Sequence, residues 1–197
     1  MANTRNDDLA ALVVGAGPTG LTMASQLRRH GLSCRLVDKL PAPSGNSRAL
    51  GIQARTLEVF DNLGIVDQVI EWGLRIHGLN IWLGSRRMAH IAFDELDSPF
   101  PYIIDLPQAQ TETILREYLA TFGAQPEWGV ELVGFTQDGQ GMTATLRHAD
   151  DREETVRAAW LVGCDGAHSA TRRITARGVR SSPATRRTST ARPAARA

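Results

Sequence analysis

The chain has 197 residues, 42% of them hydrophobic and 22% charged, and a formal net charge of +1. This is the composition of one globular domain, or one and a half, with enough apolar residues for a sizeable core. No stretch of eighteen apolar residues occurs and the N-terminus has no apolar signal-peptide region, so neither a membrane span nor a secretory leader is expected.

The first apolar run, residues 9–14, reads as a strand. It ends in the turn Gly15-Ala-Gly17-Pro-Thr-Gly20. Leu21, Ala24, Leu27 and Arg28 then fall at helical spacing, which predicts a helix over about 18–30 with Gly31 as its stop. A second strand, 33–38, ends in Asp38, eighteen residues past Gly20. Strand, glycine turn, helix, strand and acid in this order form the layout of a dinucleotide-binding βαβ unit. Each part has a task. Gly15 permits the tight turn, Gly17 lets backbone approach a pyrophosphate, and Gly20 lets helix pack close to strand. The helix N-terminus offers free N–H groups and a partial positive charge to phosphates. Asp38 can accept hydrogen bonds from an adenosine ribose and disfavours a 2′-phosphate, so NADP is not expected in this turn. Spacing alone leaves FAD and NAD both open.

Residues 39–51 are rich in turn formers and read as a loop that carries Arg48. Helices are predicted over 53–63, with Leu57, Phe60 and Leu63 on one side, and over 66–72. A β-hairpin fits 78–93, with its turn near Gly84-Ser85. Tyr102-Ile-Ile reads as a short strand. Gln108–Phe122 reads as a helix with Ile114, Leu115, Tyr118 and Leu119 inward. Residues 130–136 and 142–148 alternate around Asp138-Gly139-Gln-Gly141, a second hairpin. A last strand over 155–162 runs into Gly163-Cys164-Asp165-Gly166. Trp72, Trp82 and Phe93 are expected to fill core. Cys34 and Cys164 are expected in buried strands as structural thiols, which suits a reducing cytoplasm.

After Arg173 the pattern stops. Residues 174–197 hold six Arg and no acid, with Ile174 and Val179 the only large apolar side chains, so this tail is expected to be disordered. It leaves the first 173 residues with 16 basic and 21 acidic groups. The tail has no aromatic interleaving, so nucleic-acid or membrane partners are not expected. The expected organisation is therefore a domain over 1–173 and a tail over 174–197. His30, His77, His90, His148 and His168 lack metal-ligand spacing, and no G-x-S-x-G occurs, so no metal site or catalytic nucleophile is expected.

Three segments in order, Gly15-Ala-Gly-Pro-Thr-Gly20, Ser47-Arg-Ala-Leu-Gly-Ile-Gln-Ala-Arg-Thr-Leu-Glu58 and Cys164-Asp-Gly-Ala-His-Ser169, carry a resemblance. Leu106-Pro-Gln108-Ala-Gln-Thr-Glu112 lies between the last two. Together they resemble the class A FAD-dependent aromatic monooxygenases, the para-hydroxybenzoate hydroxylase-like group that includes phenol and polyketide hydroxylases. The resemblance covers about residues 9–173. It implies an α/β fold, a Rossmann-like FAD-binding βαβ core with inserted β-hairpins. It also implies FAD as cofactor, NAD(P)H and O₂ as co-substrates, and an aromatic, typically phenolic, substrate. By position, Gly15, Gly17 and Gly20 would hold the pyrophosphate and Asp38 the ribose. Arg48 and Gln108 would contact flavin, and Asp165 would serve both FAD and NAD(P)H. His168 and Arg172 fall where the family places NAD(P)H contacts. Family members are about twice this length or more. The expectation is accordingly a truncated reading frame, perhaps with a frameshifted tail, whose βαβ unit lacks flanking strands and has low hydroxylase turnover. The alternative is a non-catalytic FAD- or NAD-binding module.

Overall fold

The computed structural model describes residues 9–43, 45, 51–176 and the backbone of 180–181. In chain order the first elements are β1 (Leu9–Val14), α1 (Pro18–Arg29), β2 (Cys34–Asp38), β3 (Gly51–Ile52), α2 (Ala54–Leu63) and α3 (Val66–Trp72). Then come β4 (Leu74–Ile76), β5 (Gly78–Leu83), β6 (Arg86–Ala92), β7 (Ile103–Asp105) and α4 (Gln108–Ala120). The last are β8 (Pro126–Trp128), β9 (Val130–Asp138), β10 (Gly141–His148), β11 (Glu153–Gly163), α5 (Ala170–Ala176) and β12 (Arg180–Ser181). Contacts divide the chain into two units, Met1–Pro43 with Leu119–Ala197, and Ser44–Tyr118.

The first unit is built on a seven-stranded sheet in the order β12-β9-β10-β11-β1-β2-β8. β1 pairs in parallel with β2 from Ala11↔Cys34 to Val14↔Val37, and with β11 from Leu9↔Ala158 to Val14↔Gly163. Neighbours on both sides pair its edges, and successive residues from Ala11 to Val14 are buried on both faces, which is why β1 is almost continuously apolar. Leu12 and Val13 have no exposed surface. β9, β10 and β11 form an antiparallel meander whose alternate residues, including Leu132, Met142, Leu146 and Val156, join Leu12, Val14 and Val37 in one core cluster. The βαβ unit does not lack flanking strands as expected. β11 and β8 lie on its two sides, drawn from chain more than 80 residues downstream of Asp38.

α1 starts at Gly17 with Pro18 in its first position, where a missing N–H costs nothing, and ends at Gly31, whose φ of +73° suits glycine. Leu21 and Ala24 are buried as their spacing requires; Leu27 is only half-buried. At the other end of the unit, helix α5 runs to Ala176 and β12 pairs in parallel with β9. Order therefore reaches into the segment expected to be disordered from 174. Residues 182–197 lie outside the described residues.

The second unit holds a three-stranded sheet, β3-β7-β4, and the separate hairpin β5-β6. Its core includes Leu57, Phe60 and Leu63 of α2, Ile104 of β7, and Ile114 and Leu115 of α4, all at their predicted positions. The hairpin is uncovered. Leu79, Ile81 and Leu83 alternate along β5, with Ile91 opposite Leu79, and all four are exposed. Trp72 and Trp82, expected in the core, are 44% and 58% exposed: Trp82 lies on the exposed hairpin, and Trp72 is the last residue of α3, whose buried face is Val66 and Val69. Phe93 is half-buried. Both cysteines are free and half-buried rather than buried, and Cys164 lies just beyond the end of β11. Burial still pushes both thiols above their ordinary value.

Candidate functional site

The site lies where β1 hands over to α1. Gly15 has φ of +102°, a conformation that favours glycine. A Cβ there would also stand 2.5 Å from the Cys164 carbonyl oxygen. A Cβ on Gly20 would stand 1.8 Å from the Gly15 carbonyl oxygen, so helix and turn touch backbone to backbone. Gly17 differs. Its φ of −74° is ordinary, and a Cβ would meet no atom within 4 Å. The side of the turn that faces away from the protein is therefore open, directly at the start of α1.

A helix start leaves its first amides without intrahelical acceptors. Here the cap residue is Gly17, no side chain caps the helix, and its first turn holds no acidic residue. The amides of Thr19 and Gly20 and the positive end of the helix dipole are thus available to an anion, an interaction worth about 0.3–2 kcal/mol.

Asp38 closes the other side. One carboxylate oxygen accepts a hydrogen bond from the Ala16 amide at 2.7 Å, and the other accepts from the Leu40 amide at 2.9 Å. The carboxylate is fixed against the glycine turn by the strand register that aligns Val14 with Val37. Each oxygen keeps a further lone pair for a hydroxyl donor.

Asp165 joins the same site through backbone. The Cys164 amide donates to the Val14 carbonyl at 2.7 Å, which sets the Cys164-Asp165 segment against Gly15. The Asp165 side chain accepts from the Ser169 hydroxyl at 2.6 Å, and from the Thr171 amide and hydroxyl at 3.0 and 3.2 Å. Burial alone would raise its pKa, but these hydrogen bonds together hold it below the ordinary value. Ser169 in turn accepts from the Arg172 amide at 2.9 Å and caps α5. Arg172 donates to the Gly166 carbonyl and Arg173 to the His168 carbonyl, so both guanidinium groups brace the turn that contains His168.

Five of the seven residues picked from the sequence, Gly15, Gly17, Gly20, Asp38 and Asp165, are brought together in the first unit. Gln108 belongs to the second unit, where it opens α4 and donates to the buried Glu112 at 2.7 Å. Arg48 lies outside the described residues. Sequence reasoning missed the supporting groups. Ser169 carries a readable signal, a cap residue followed by a stretch free of Gly and Pro. The Ala16 amide carries none, because its partner Asp38 is 22 residues away, and Thr171, six residues from Asp165, belongs to no capping pattern that the sequence reveals.

The family described as FAD binding domain matches residues 8–190. Pentachlorophenol 4-monooxygenase of Sphingobium chlorophenolicum is 39% identical over 167 residues, covering 84% of this chain and 31% of its own length. The chain belongs to the family described as FAD binding domain, and its relatives over that region are monooxygenases. Among these monooxygenases, 6-methylpretetramide 4-monooxygenase of Streptomyces rimosus is also 39% identical, over 170 residues, covering 84% of this chain and 30% of its own. The solved flavin-dependent monooxygenase PieE, in complex with FAD and substrate, aligns with a TM-score of 0.77 and 28% identity over 86% of this chain and 32% of its own. The p-nitrophenol 4-monooxygenase of Pseudomonas putida shares the fold at a TM-score of 0.80 and 23% identity, over 85% of this chain and 43% of its own. The chain spans about a third of the length of the curated monooxygenases it matches.

Proposed function

We propose that this chain grips the ADP half of FAD and serves an NAD(P)H- and O₂-dependent hydroxylation of an aromatic, phenol-like substrate. The observation that carries the reading is the open face of Gly17 at the uncapped start of α1, flanked by a carboxylate already pinned to the turn. A pyrophosphate fits against the Gly17, Thr19 and Gly20 amides, because a Cβ on Gly17 would meet no described atom within 4 Å. Asp38 accepts from the ribose hydroxyls with the lone pairs that Ala16 and Leu40 leave over. Its charge repels a 2′-phosphate, which favours FAD over NADP in this turn.

Asp165 stays ionised at neutral pH and orders the segment that abuts Gly15. We assign Arg48 and Gln108 to flavin contacts, and His168 and Arg172 to NAD(P)H, from the family motif they match. When bound, the flavin supplies electron transfer from NAD(P)H to O₂ and delivery of oxygen to the ring, chemistry no side chain provides. The protein's part is to hold, orient and exclude water. Two free, half-buried thiols suit a reducing cytoplasm.

Titration of the full chain with FAD, ADP-ribose and NADP⁺, followed by flavin fluorescence and calorimetry, tests the reading. FAD is expected to bind, ADP-ribose to compete, and NADP⁺ to compete at least about tenfold less well. Equal binding of all three, or none, refutes it. Because the chain spans a third of its relatives, turnover is a separate question. Retained flavin with no substrate-dependent NAD(P)H oxidation would identify a non-catalytic binding module.

A further inference from the structure

Four polar side chains are buried among the described residues: Ser25, Thr111, Glu112 and Ser169. Glu112 is the one acid in that group, with 5% of its surface exposed. It falls three residues before the fully buried Leu115, at a position on α4 where helical spacing asks for an apolar side chain. A carboxylate there is costly unless a cation or several hydrogen bonds compensate it. No cation binds it among the described residues. Arg116, one turn on, donates instead to the Glu112 backbone carbonyl at 3.3 Å and to the Thr113 hydroxyl at 2.8 Å. Glu112 is also the fifth residue of α4, beyond the first turn where the helix dipole favours an acid. What its side chain does receive is a hydrogen bond from the Gln108 amide nitrogen at 2.7 Å, the short distance of a charge-assisted bond.

Sequences break a packing rule of this kind mainly at functional sites. We infer that Glu112 is a positioning residue for Gln108: it holds the Gln108 amide with its nitrogen inward, so that the oxygen meets the ligand. An ionised carboxylate only accepts hydrogen bonds, so the atom turned to it is the amide nitrogen, and the oxygen on the same carbon is directed elsewhere. Gln108 therefore meets its ligand as an acceptor, and the group it takes is a hydrogen-bond donor. Flavin carries donors of two kinds, the ring N3–H and the ribityl hydroxyls. Without Glu112 the amide turns over and meets a flavin carbonyl as readily as a donor. With Glu112 in place, one orientation is selected before binding. The inference rests on the proposed assignment of Gln108 to flavin; the hydrogen bond between Gln108 and Glu112 does not.

Calorimetric titration with FAD and with ADP-ribose, on the full chain and its Glu112→Gln, Gln108→Leu and doubly substituted variants, tests the inference. Glu112→Gln keeps the shape of the side chain but can donate as well as accept, so it releases the amide. It is expected to weaken FAD at least about fivefold and to leave ADP-ribose, which has no flavin, within about a factor of two. In the Gln108→Leu background the same change is expected to have no further effect on FAD, because the residue it acts through is gone. Glu112→Leu is expected to weaken FAD equally while its urea midpoint stays at or above that of the parent, since an apolar group replaces a buried charge. FAD methylated at N3 separates the two donors. Loss of the Glu112→Gln effect with this analogue identifies N3–H, and its persistence identifies a ribityl hydroxyl. Additive losses in the double variant overturn the inference. So does a parallel fall of FAD affinity, ADP-ribose affinity and urea midpoint, which would make Glu112 a structural residue only. A parent chain that binds no FAD sinks the cofactor reading and this inference together. A parent that binds FAD, beside a Glu112→Gln chain that binds it equally well, sinks this inference alone.

Discussion

Gly17 and Gly20 sit three residues apart in one motif, yet the structure assigns them opposite consequences on gaining a methyl group. Gly20→Ala puts a Cβ 1.8 Å from the Gly15 carbonyl oxygen, where real contacts do not come closer than 3.0 Å. The obstacle is backbone, so α1 must retreat by at least about 1.2 Å. Such a retreat loosens Leu21 and Ala24, which are fully buried against the sheet. Overpacking of this severity costs about 3 kcal/mol, and the better helix propensity of alanine returns about 1 kcal/mol. The net loss is about 2 kcal/mol, a fall of about 4–8 °C in Tm for a chain of this size. Gly17→Ala meets nothing within 4 Å at an unstrained φ. Its stability cost is the weaker cap, about 0.5–1 kcal/mol. Its methyl group, however, occupies the space where a pyrophosphate would lie, and FAD affinity is expected to fall at least about tenfold. Urea unfolding and flavin titration on both variants separate the two effects. A Gly20→Ala chain as stable as the parent would refute the close approach, and a Gly17→Ala chain with unchanged FAD affinity would refute the cradle.

Asp165 has a lowered pKa in the folded chain, so it stabilises the fold at pH values above its unfolded pKa, and that contribution disappears as pH falls through the folded value. Asp165→Asn is expected to flatten the pH dependence of the urea midpoint below about pH 4, with little change in slope above pH 5. Glu154 is pushed down to about 2, mainly by the hydrogen bond from Arg35, which also binds Glu127 at 2.6 Å. Arg35→Leu should return the Glu154 carboxyl toward its ordinary value of 4.5 in an NMR titration. Its stability cost is about 1–2 kcal/mol, because these groups are partly exposed and solvent screens them. An unmoved Glu154 titration would show that Arg35 is not its controlling partner. On the uncovered hairpin, Leu79→Thr, Ile81→Thr and Ile91→Thr together are expected to reduce dye binding to apolar surface and delay aggregation. Unfolding free energy should change by under about 0.5 kcal/mol per site, and a cooperative loss of fold would contradict the observed exposure.

The elements legible in the sequence were those with local causes. β1, α1 and β2 match within a residue or two because an apolar run, a glycine turn with Pro18, and a helical stripe ended by Gly31 are each specified within about a dozen residues. The hairpins β5–β6 and β9–β10 were readable for the same reason. The two- and three-residue strands β3, β4 and β8 were not. β8 contains Pro126 and no alternation, and it exists because the edge of β2 offers Leu36–Asp38 as partners. α5 has no apolar stripe and starts where Ser169 and Asp165 receive its first amides. At the site, glycine spacing pointed to the turn and to Asp38, and the family resemblance pointed to Asp165. Neither could reveal that Asp38 is tied to Ala16, a tie that depends on how β1 and β2 register, or that Asp165 is tied to Thr171, a local contact set by how the chain folds back into α5. Trp72 and Trp82 misled because hydrophobicity marks a surface to be covered without saying what covers it.

The sheet that carries the cofactor turn draws its strands from both ends of the chain. Leu9 of β1 pairs with Ala158 of β11. At a synthesis rate of about 5–20 residues per second, β1 and β2 leave the ribosome roughly 6–30 seconds before β11 exists. During that interval the most apolar strand of the protein waits with an open edge. Closing so long a loop is also slow once the chain is complete, since non-local pairing must precede the contacts that reward it. The yield of folded protein is therefore expected to depend on how long β1 is shielded during synthesis, and to improve with slower growth, lower temperature or a chaperone that holds the N-terminal strands.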